Sequence, residues 1–166
     1  MTLTHCDAHD NWPPAAFKPF VDMFVAGGLG DTLNALLADK VIYRSPAALG
    51  PAYERPEIVS DEDIEIFLRP LVRTKQRTRD LQRLVAAFDH RHTVVIEPHL
   101  RQLQAPTLIV WGTDDIYFPV KWAYWLANIS SRAPQTRSNW RGARIFFPEE
   151  RADVFNKLLR DHLLAV

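Results

Sequence analysis

Two stretches of this chain carry side chains whose types and spacing could do chemistry. The first is Asp114 and Asp115, paired carboxylates two residues beyond Gly112 in the run Pro106 to Pro119, PTLIVWGTDDIYFP. The second is His5, Cys6, Asp7, His9 and Asp10, a cluster of titratable groups close to the N-terminus. Carboxylates that leave the carboxyl end of a buried strand stand where open α/β sheets place ligands and catalytic groups. The same pair could instead cap the helix that starts near Pro119 and hydrogen-bond the turn. His5, Cys6 and His9 form H-C-x-x-H, and His90 with His92 could add ligands, which suggests zinc or copper chemistry. The spacing fits no closed tetrahedral pattern, so neither a metal nor any other cofactor is expected.

The elements that must position these groups follow from periodicity. Thr107 to Trp111 is an unbroken β-favouring run without alternation, the pattern of a strand buried on both faces of a parallel sheet, and Gly112 is expected to turn the chain after it. Thr2 to Thr4 reads as a short strand that delivers the titratable loop, and as an edge strand. Pro14 is placed to start a helix, which Asp7 or Asp10 would cap. From Ala15 to Lys40 the spacing predicts two helices parted by Gly27, Gly28 and Gly30, with Asp31 as N-cap of the second. Ser60 and Asp63 are close to a capping box, ahead of a helix whose apolar face is Ile64, Ile66, Phe67 and Leu68 and which should end before Pro70. Thr78 to His90 is a further helix with Leu81, Leu84, Val85 and Phe88 on one side. After the central strand come a helix over Val120 to Ile129, a loop, a weak strand over Thr136 to Trp140, and a last helix from Pro148 with Phe155, Leu158, Leu159 and Leu163 as its stripe. The order is strand, helical insertion, strand, helix, strand, helix, which makes the fold class α/β.

Composition narrows the function classes. With 47% hydrophobic residues and 20 basic against 20 acidic side chains, the chain has no net field to draw nucleic acid or acidic lipid, so neither partner is expected. Its apolar stretches are shorter than the roughly 20 residues of a membrane helix and no leader pattern opens it, so the expected compartment is the cytoplasm. Cys6 is the only cysteine, which excludes an intrachain disulfide; it is expected to be a small buried hydrophobe.

The stretch APTLIVWGTDDIYFPVKWAYWLA, followed by a loop and then GARIFFPEER with a terminal amphipathic helix, resembles the C-terminal third of an α/β-hydrolase of the haloalkane dehalogenase, epoxide hydrolase and esterase type. The resemblance implies that residues 1–10 and 104–166 are the C-terminal part of the hydrolase core, a short parallel sheet of about three strands, and that residues 11–103 are a helical cap. Thr2 to His5 would correspond to that family's sixth strand, Thr107 to Trp111 to the seventh, and Thr136 to Trp140 to the eighth. Asp115 takes the position of the acid that orients the catalytic histidine, and Asp7 or Asp10 that of an alternative acid after the sixth strand. Trp12, Phe17 and Phe20, with Phe24, would line the roof of a small apolar substrate's pocket; helical spacing also suits ordinary core.

The chain departs from the family in two places. Where the family has a glycine-histidine pair, this chain has Gly142, Ala143, Arg144 and Ile145, with Ile145 in the histidine's place. An isoleucine moves no proton, and Arg144 could at most hold an anion. No G-x-S-x-G elbow or equivalent occurs, and the oxyanion donors belong to the same missing half. The resemblance therefore implies a truncated hydrolase of small apolar ester, epoxide or carbon-halogen substrates whose isolated chain is inactive. The alternative is a non-catalytic binding or assembly protein of the same fold. An exposed edge at Thr2 to His5 would suit a missing N-terminal half or a second copy.

Overall fold

Five apolar or β-branched side chains in a row leave no polar face, and the strand they form is buried at every position. In the computed structural model, which describes residues 1–130 and 135–165, that strand is the middle of a three-stranded parallel sheet. The strands are β1 (Thr2–Thr4), β2 (Thr107–Gly112) and β3 (Gln135–Trp140), in the order β1-β2-β3. Leu3 pairs with Ile109, and Arg137 pairs with Ile109 from the other side. Among the described residues the α-helices are α1 (Lys18–Met23), α2 (Leu29–Ala38), α3 (Lys40–Arg44), α4 (Asp61–Val72), α5 (Lys75–Ala86), α6 (Arg91–Val94), α7 (Glu97–Leu100), α8 (Lys121–Ile129), α9 (Phe147–Glu150) and α10 (Ala152–Leu164). The expected α/β order of strand, helical insertion, strand, helix, strand and helix is the observed one. The loop expected between α8 and β3 falls at 131–134, outside the described residues.

The chain forms two compact units. The sheet unit comprises 1–14, 52–54 and 89–166, and the helical unit comprises 15–51 and 55–88. In the sheet unit, successive β2 side chains point to opposite faces. Leu108 and Val110 join Ala143 and Phe147 in one buried cluster, against which Val154, Phe155 and Leu158 of α10 pack. Burial of each such aliphatic side chain contributes about 1.5–3 kcal/mol. Residues 52–54 are bound into this unit by polar contacts. Arg151 grips both Glu54 carboxylate oxygens at 2.6–3.0 Å, Glu150 accepts the Glu54 N–H at 2.8 Å, and Tyr53 stacks on Phe146 with ring centroids 4.3 Å apart.

In the helical unit the capping box is present in full. Ser60 accepts the Asp63 N–H at 3.0 Å and Asp63 accepts the Ser60 N–H at 3.0 Å, which satisfies two orphan donors of α4. Several expected boundaries move. α4 continues through Pro70 to Val72, where a proline removes only one bond near the helix end. Ile64 and Leu68 are buried, while Ile66 and Phe67 are 60% and 44% exposed. α5 starts at Lys75 because Thr74 caps it, accepting the Arg77 N–H. α1 starts at Lys18 with Pro19 in its first turn, four residues beyond Pro14, and no side chain caps it, so neither Asp7 nor Asp10 does so.

Gly27, with φ of +105°, kinks the chain between α1 and α2 through a π turn at Phe24–Gly28. A left-handed φ of this kind suits glycine alone. α2 begins at Leu29, which places Asp31 inside the first turn rather than at the cap. Because the glycines kink the run without ending it, Lys18–Ala38 is 21 residues long and by length and composition could cross a membrane, contrary to the expectation from the sequence. A third of its most apolar window is buried within the structure, including Leu33, Leu36 and Leu37.

Candidate functional site

The candidate site lies at the carboxyl ends of β1, β2 and β3. Gly112 does not turn the chain; it is the last residue of β2. Its lack of a side chain is required by close approach, since a Cβ there would lie 2.0 Å from the Ala143 carbonyl oxygen and 2.9 Å from His5 Nε2. The segment after β3 can thus fold over the end of β2. The Thr113 N–H donates to Trp140 O at 3.0 Å, and the Asp114 N–H donates to Ala143 O at 3.2 Å. Asp114 is exposed and accepts the Thr113 hydroxyl at 2.6 Å, which holds its carboxyl below the usual carboxylate range.

Asp115 is different. Its side chain is 1% exposed, and its two oxygens have separate fates. Oδ1 accepts the Tyr117 N–H at 2.7 Å and the Phe118 N–H at 3.1 Å. Oδ2 is buried and has no hydrogen-bond partner. Burial raises the Asp115 pKa, opposed by the Phe118 and Tyr117 N–H groups and by the positive field of Arg144. The turn that carries Asp115 is braced from behind: Trp111 Nε1 donates to Phe118 O at 2.7 Å, and Asn11 Nδ2 donates to Tyr117 O at 3.0 Å. Oδ1 therefore holds the turn, as one reading of this carboxylate from the sequence expects, while no side chain caps the helix that follows, α8.

His5, which the sequence offers only as a possible metal ligand, makes a contact that sequence reasoning did not foresee. β1 ends at Thr4, so Gly112 has no strand neighbour on that side to accept its N–H. His5, at φ +35°, brings Nε2 to 2.6 Å from Gly112 N. A backbone N–H can only donate, so Nε2 carries the lone pair and Nδ1 the proton. That proton is directed at Thr4 Oγ1, 2.9 Å away. Burial pushes the His5 pKa down to about 4, which keeps the ring neutral. His5 Nε2 also lies 3.9 Å from Asp115 Oδ2. Thr4, His5 and Asp115 thus line up like a nucleophile, base and acid, but with the tautomer reversed: a relay needs a proton between the imidazole and the carboxylate, and here that nitrogen is an acceptor.

The remaining members of the N-terminal cluster diverge. His9 Nε2 is 3.3 Å from Glu97 Oε2, and its ring lies against Trp125 and Trp122. Among the described residues no group of three or more His, Cys, Asp or Glu is placed to hold a metal. Burial and the neighbouring Asp7 push the Cys6 thiol up to about 11, so it is protonated and a poor nucleophile. Asp7 sits on the loop after β1, at the same end of the sheet as Asp115. Burial raises its pKa to about 6, and its Oδ1 is buried with no hydrogen-bond partner. Trp12 belongs to the sheet unit, whereas Phe17 and Phe20 belong to the helical unit, where they stack at 5.8 Å and line an apolar cavity. Arg144 donates to Tyr53 O at 3.1 Å, and Ile145 is partly buried.

No family model and no curated protein sequence matches this chain. One solved structure similar to it is described as Est816, an N-acyl homoserine lactone degrading enzyme. The two are 26% identical over 81% of this chain and 53% of that one, with a TM-score of 0.48. This chain therefore spans about half the length of that protein.

Proposed function

We propose that this chain is the C-terminal portion of an α/β-hydrolase, in which Asp115 is the acid that orients a catalytic histidine. One observation carries the reading: Asp115 is fixed through Oδ1 by two backbone N–H groups, while the buried Oδ2 is left without a partner at the carboxyl end of β2. A carboxylate that accepts an imidazole N–H must be held rigidly and keep one oxygen free, so that it selects the tautomer and steadies the imidazolium as charge develops. The sequence around it, WGTDD, has the spacing of that family's acid turn.

On this reading the nucleophile, the oxyanion donors and the base come from residues outside this chain. Its own residues supply the acid, and residues 11–103 are the helical cap of an enzyme that acts on a small apolar ester, epoxide or carbon-halogen substrate. Asp7, its carboxyl pushed up by burial, is the alternative acid. β1 is the edge strand toward which a further strand, from a missing half or a second copy, would pair. The compartment on this reading is the cytoplasm. The chain alone does not hydrolyse substrate, because each absent group is worth orders of magnitude in rate.

The test begins with the coding DNA just upstream. An in-frame glycine-rich oxyanion segment and nucleophile elbow are expected there. The extended polypeptide should hydrolyse a nitrophenyl ester, and Asp115→Asn should lower its kcat by about 10⁴. Hydrolysis by the 166-residue chain itself that disappears in Asp115→Asn would contradict the proposal, as would an extended enzyme indifferent to that substitution.

A second reading, a non-catalytic binding or assembly protein of the same fold, is favoured by Ile145 in the histidine's place and by a His5 whose acceptor nitrogen is already engaged.

A further inference from the structure

One face of α4 turns away from the buried Ile64 and Leu68. Along it Glu62, Ile66, Arg69, Pro70 and Arg73 follow one another at intervals of three and four residues, which sets them in a single row on a 3.6-residue helix, and all five are exposed. Arg73 is the C-cap but keeps helical dihedrals, so it continues the row. Ile66, in the middle, leaves 60% of its surface in water. Together with Arg77 of α5 these residues line a surface groove.

The charges along the row are sorted by sign, with acid at the N-terminal end and cations at the C-terminal end. Arg69 is taken up by Glu65 at 2.7 Å, and Arg77 Nη1 donates to Pro70 O at 3.2 Å. Glu62 and Arg73 have neither an ion pair nor a hydrogen bond among the described residues. They stand about three turns, or about 16 Å, apart on one rigid helix. Opposite charges placed so cannot meet within one chain.

We propose that this face of α4 is the contact surface of a two-fold dimer, in which α4 of a second copy lies antiparallel on the row and Glu62 of each copy faces Arg73 of the other. A two-fold axis makes every contact between unlike positions occur twice. It also sets Ile66 of each copy against the Pro70 ring and the Arg69 methylenes of the other, which removes the exposed apolar surface from water. The charge pattern selects this occupant. An acidic peptide or an anionic lipid surface drawn to Arg69, Arg73 and Arg77 would leave Glu62 unmatched, whereas a second copy complements both ends of the row. One face of a 12-residue helix buries less than the roughly 800 Å² per partner of a standard interface, so the dimer is a weak one. No residue of the candidate site or of β1 takes part, and the inference stands apart from the hydrolase reading.

Sedimentation equilibrium of the full chain tests it. A monomer–dimer equilibrium with Kd on the order of 100 μM is expected at low salt, and Kd should rise between about 50 and 500 mM salt as the exposed charge pairs are screened. Glu62→Arg or Arg73→Glu sets like charges opposite each other twice over and should raise Kd at least about tenfold. The double variant should dimerise like the parent. So should an equal mixture of the two single variants, because the arginines of one then face the glutamates of the other. Should either reversal fail to fold, as judged by circular dichroism, Glu62→Gln takes its place and should both raise Kd and flatten its salt dependence. A monomer at every concentration up to about 1 mM, a dimer indifferent to the substitutions, or reversals that neither the double variant nor the mixture rescues would overturn the proposal.

Discussion

His5 Nε2 lies 3.9 Å from Asp115 Oδ2 and 2.6 Å from the Gly112 nitrogen, and the shorter contact decides the chemistry of the longer one. By accepting the Gly112 N–H, His5 gives up the only nitrogen that faces the carboxylate. Asp115 is therefore left with a histidine beside it and no proton from it. A buried carboxylate oxygen in this condition is costly.

The arrangement predicts an acid-labile fold. His5 titrates at about 4 in the folded chain against an ordinary 6.5, so the unfolded state binds its proton first. The stabilising contribution is complete above pH 6.5 and is lost as pH falls through about 4, by an amount on the order of 3 kcal/mol. Urea midpoints measured from pH 7 to pH 4 should fall accordingly. Nitrogen-15 spectra at pH 7 should show the Nδ1–H tautomer of His5. A His5 ring that titrates near 6.5 would remove the basis for this account.

Substitutions can separate the charge of Asp115 from its turn contacts. In Asp115→Asn the amide oxygen can still accept the Tyr117 and Phe118 N–H groups, and a charge that burial disfavours is gone, so stability should change by less than about 1 kcal/mol. Asp115→Ala strands both buried donors and should cost about 2–4 kcal/mol. Chemical denaturation of the two variants decides between them. Equal losses would mean that the two N–H groups do not need the carboxylate.

Gly112→Ala should be among the most damaging single substitutions in the sheet unit. The added methyl would meet backbone, Ala143 O at 2.0 Å, which cannot swing aside. A loss of about 3 kcal/mol or more is expected, together with disruption of the His5 contact, visible as a raised His5 pKa. A variant as stable as the parent would show that the segment 141–144 does not close over β2 in solution.

Asp7 should work in the opposite sense to His5. Its carboxyl titrates at about 6 in the folded chain instead of 3.8, so the folded state holds that proton more tightly and stability falls as pH rises from 3.8 through 6. Asp7→Asn should raise the thermal midpoint at pH 8, by about 1 kcal/mol in free energy, and leave it unchanged at pH 4. An equal gain at both pH values would point to packing, not charge.

Sequence by itself determined the features written in neighbouring residues. The unbroken run Thr107 to Trp111 dictated a strand buried on both faces, Ser60 and Asp63 announced the start of α4, and the glycine followed by two aspartates marked the end of β2 as the place to look for a site. These are local signals, because propensity, capping and strand burial act within a few residues. Tertiary structure alone decided the rest. The partners that matter at the site are 107 residues apart in the case of His5 and Gly112, and the carbonyl that forces position 112 to be glycine belongs to Ala143. That Asp115 holds the turn through one oxygen and buries the other without a partner could not be read from its neighbours, since a carboxylate has two oxygens and only packing assigns them. Periodicity likewise placed Phe17 and Phe20 on an apolar face, but it took the surrounding helices to leave that face lining a cavity.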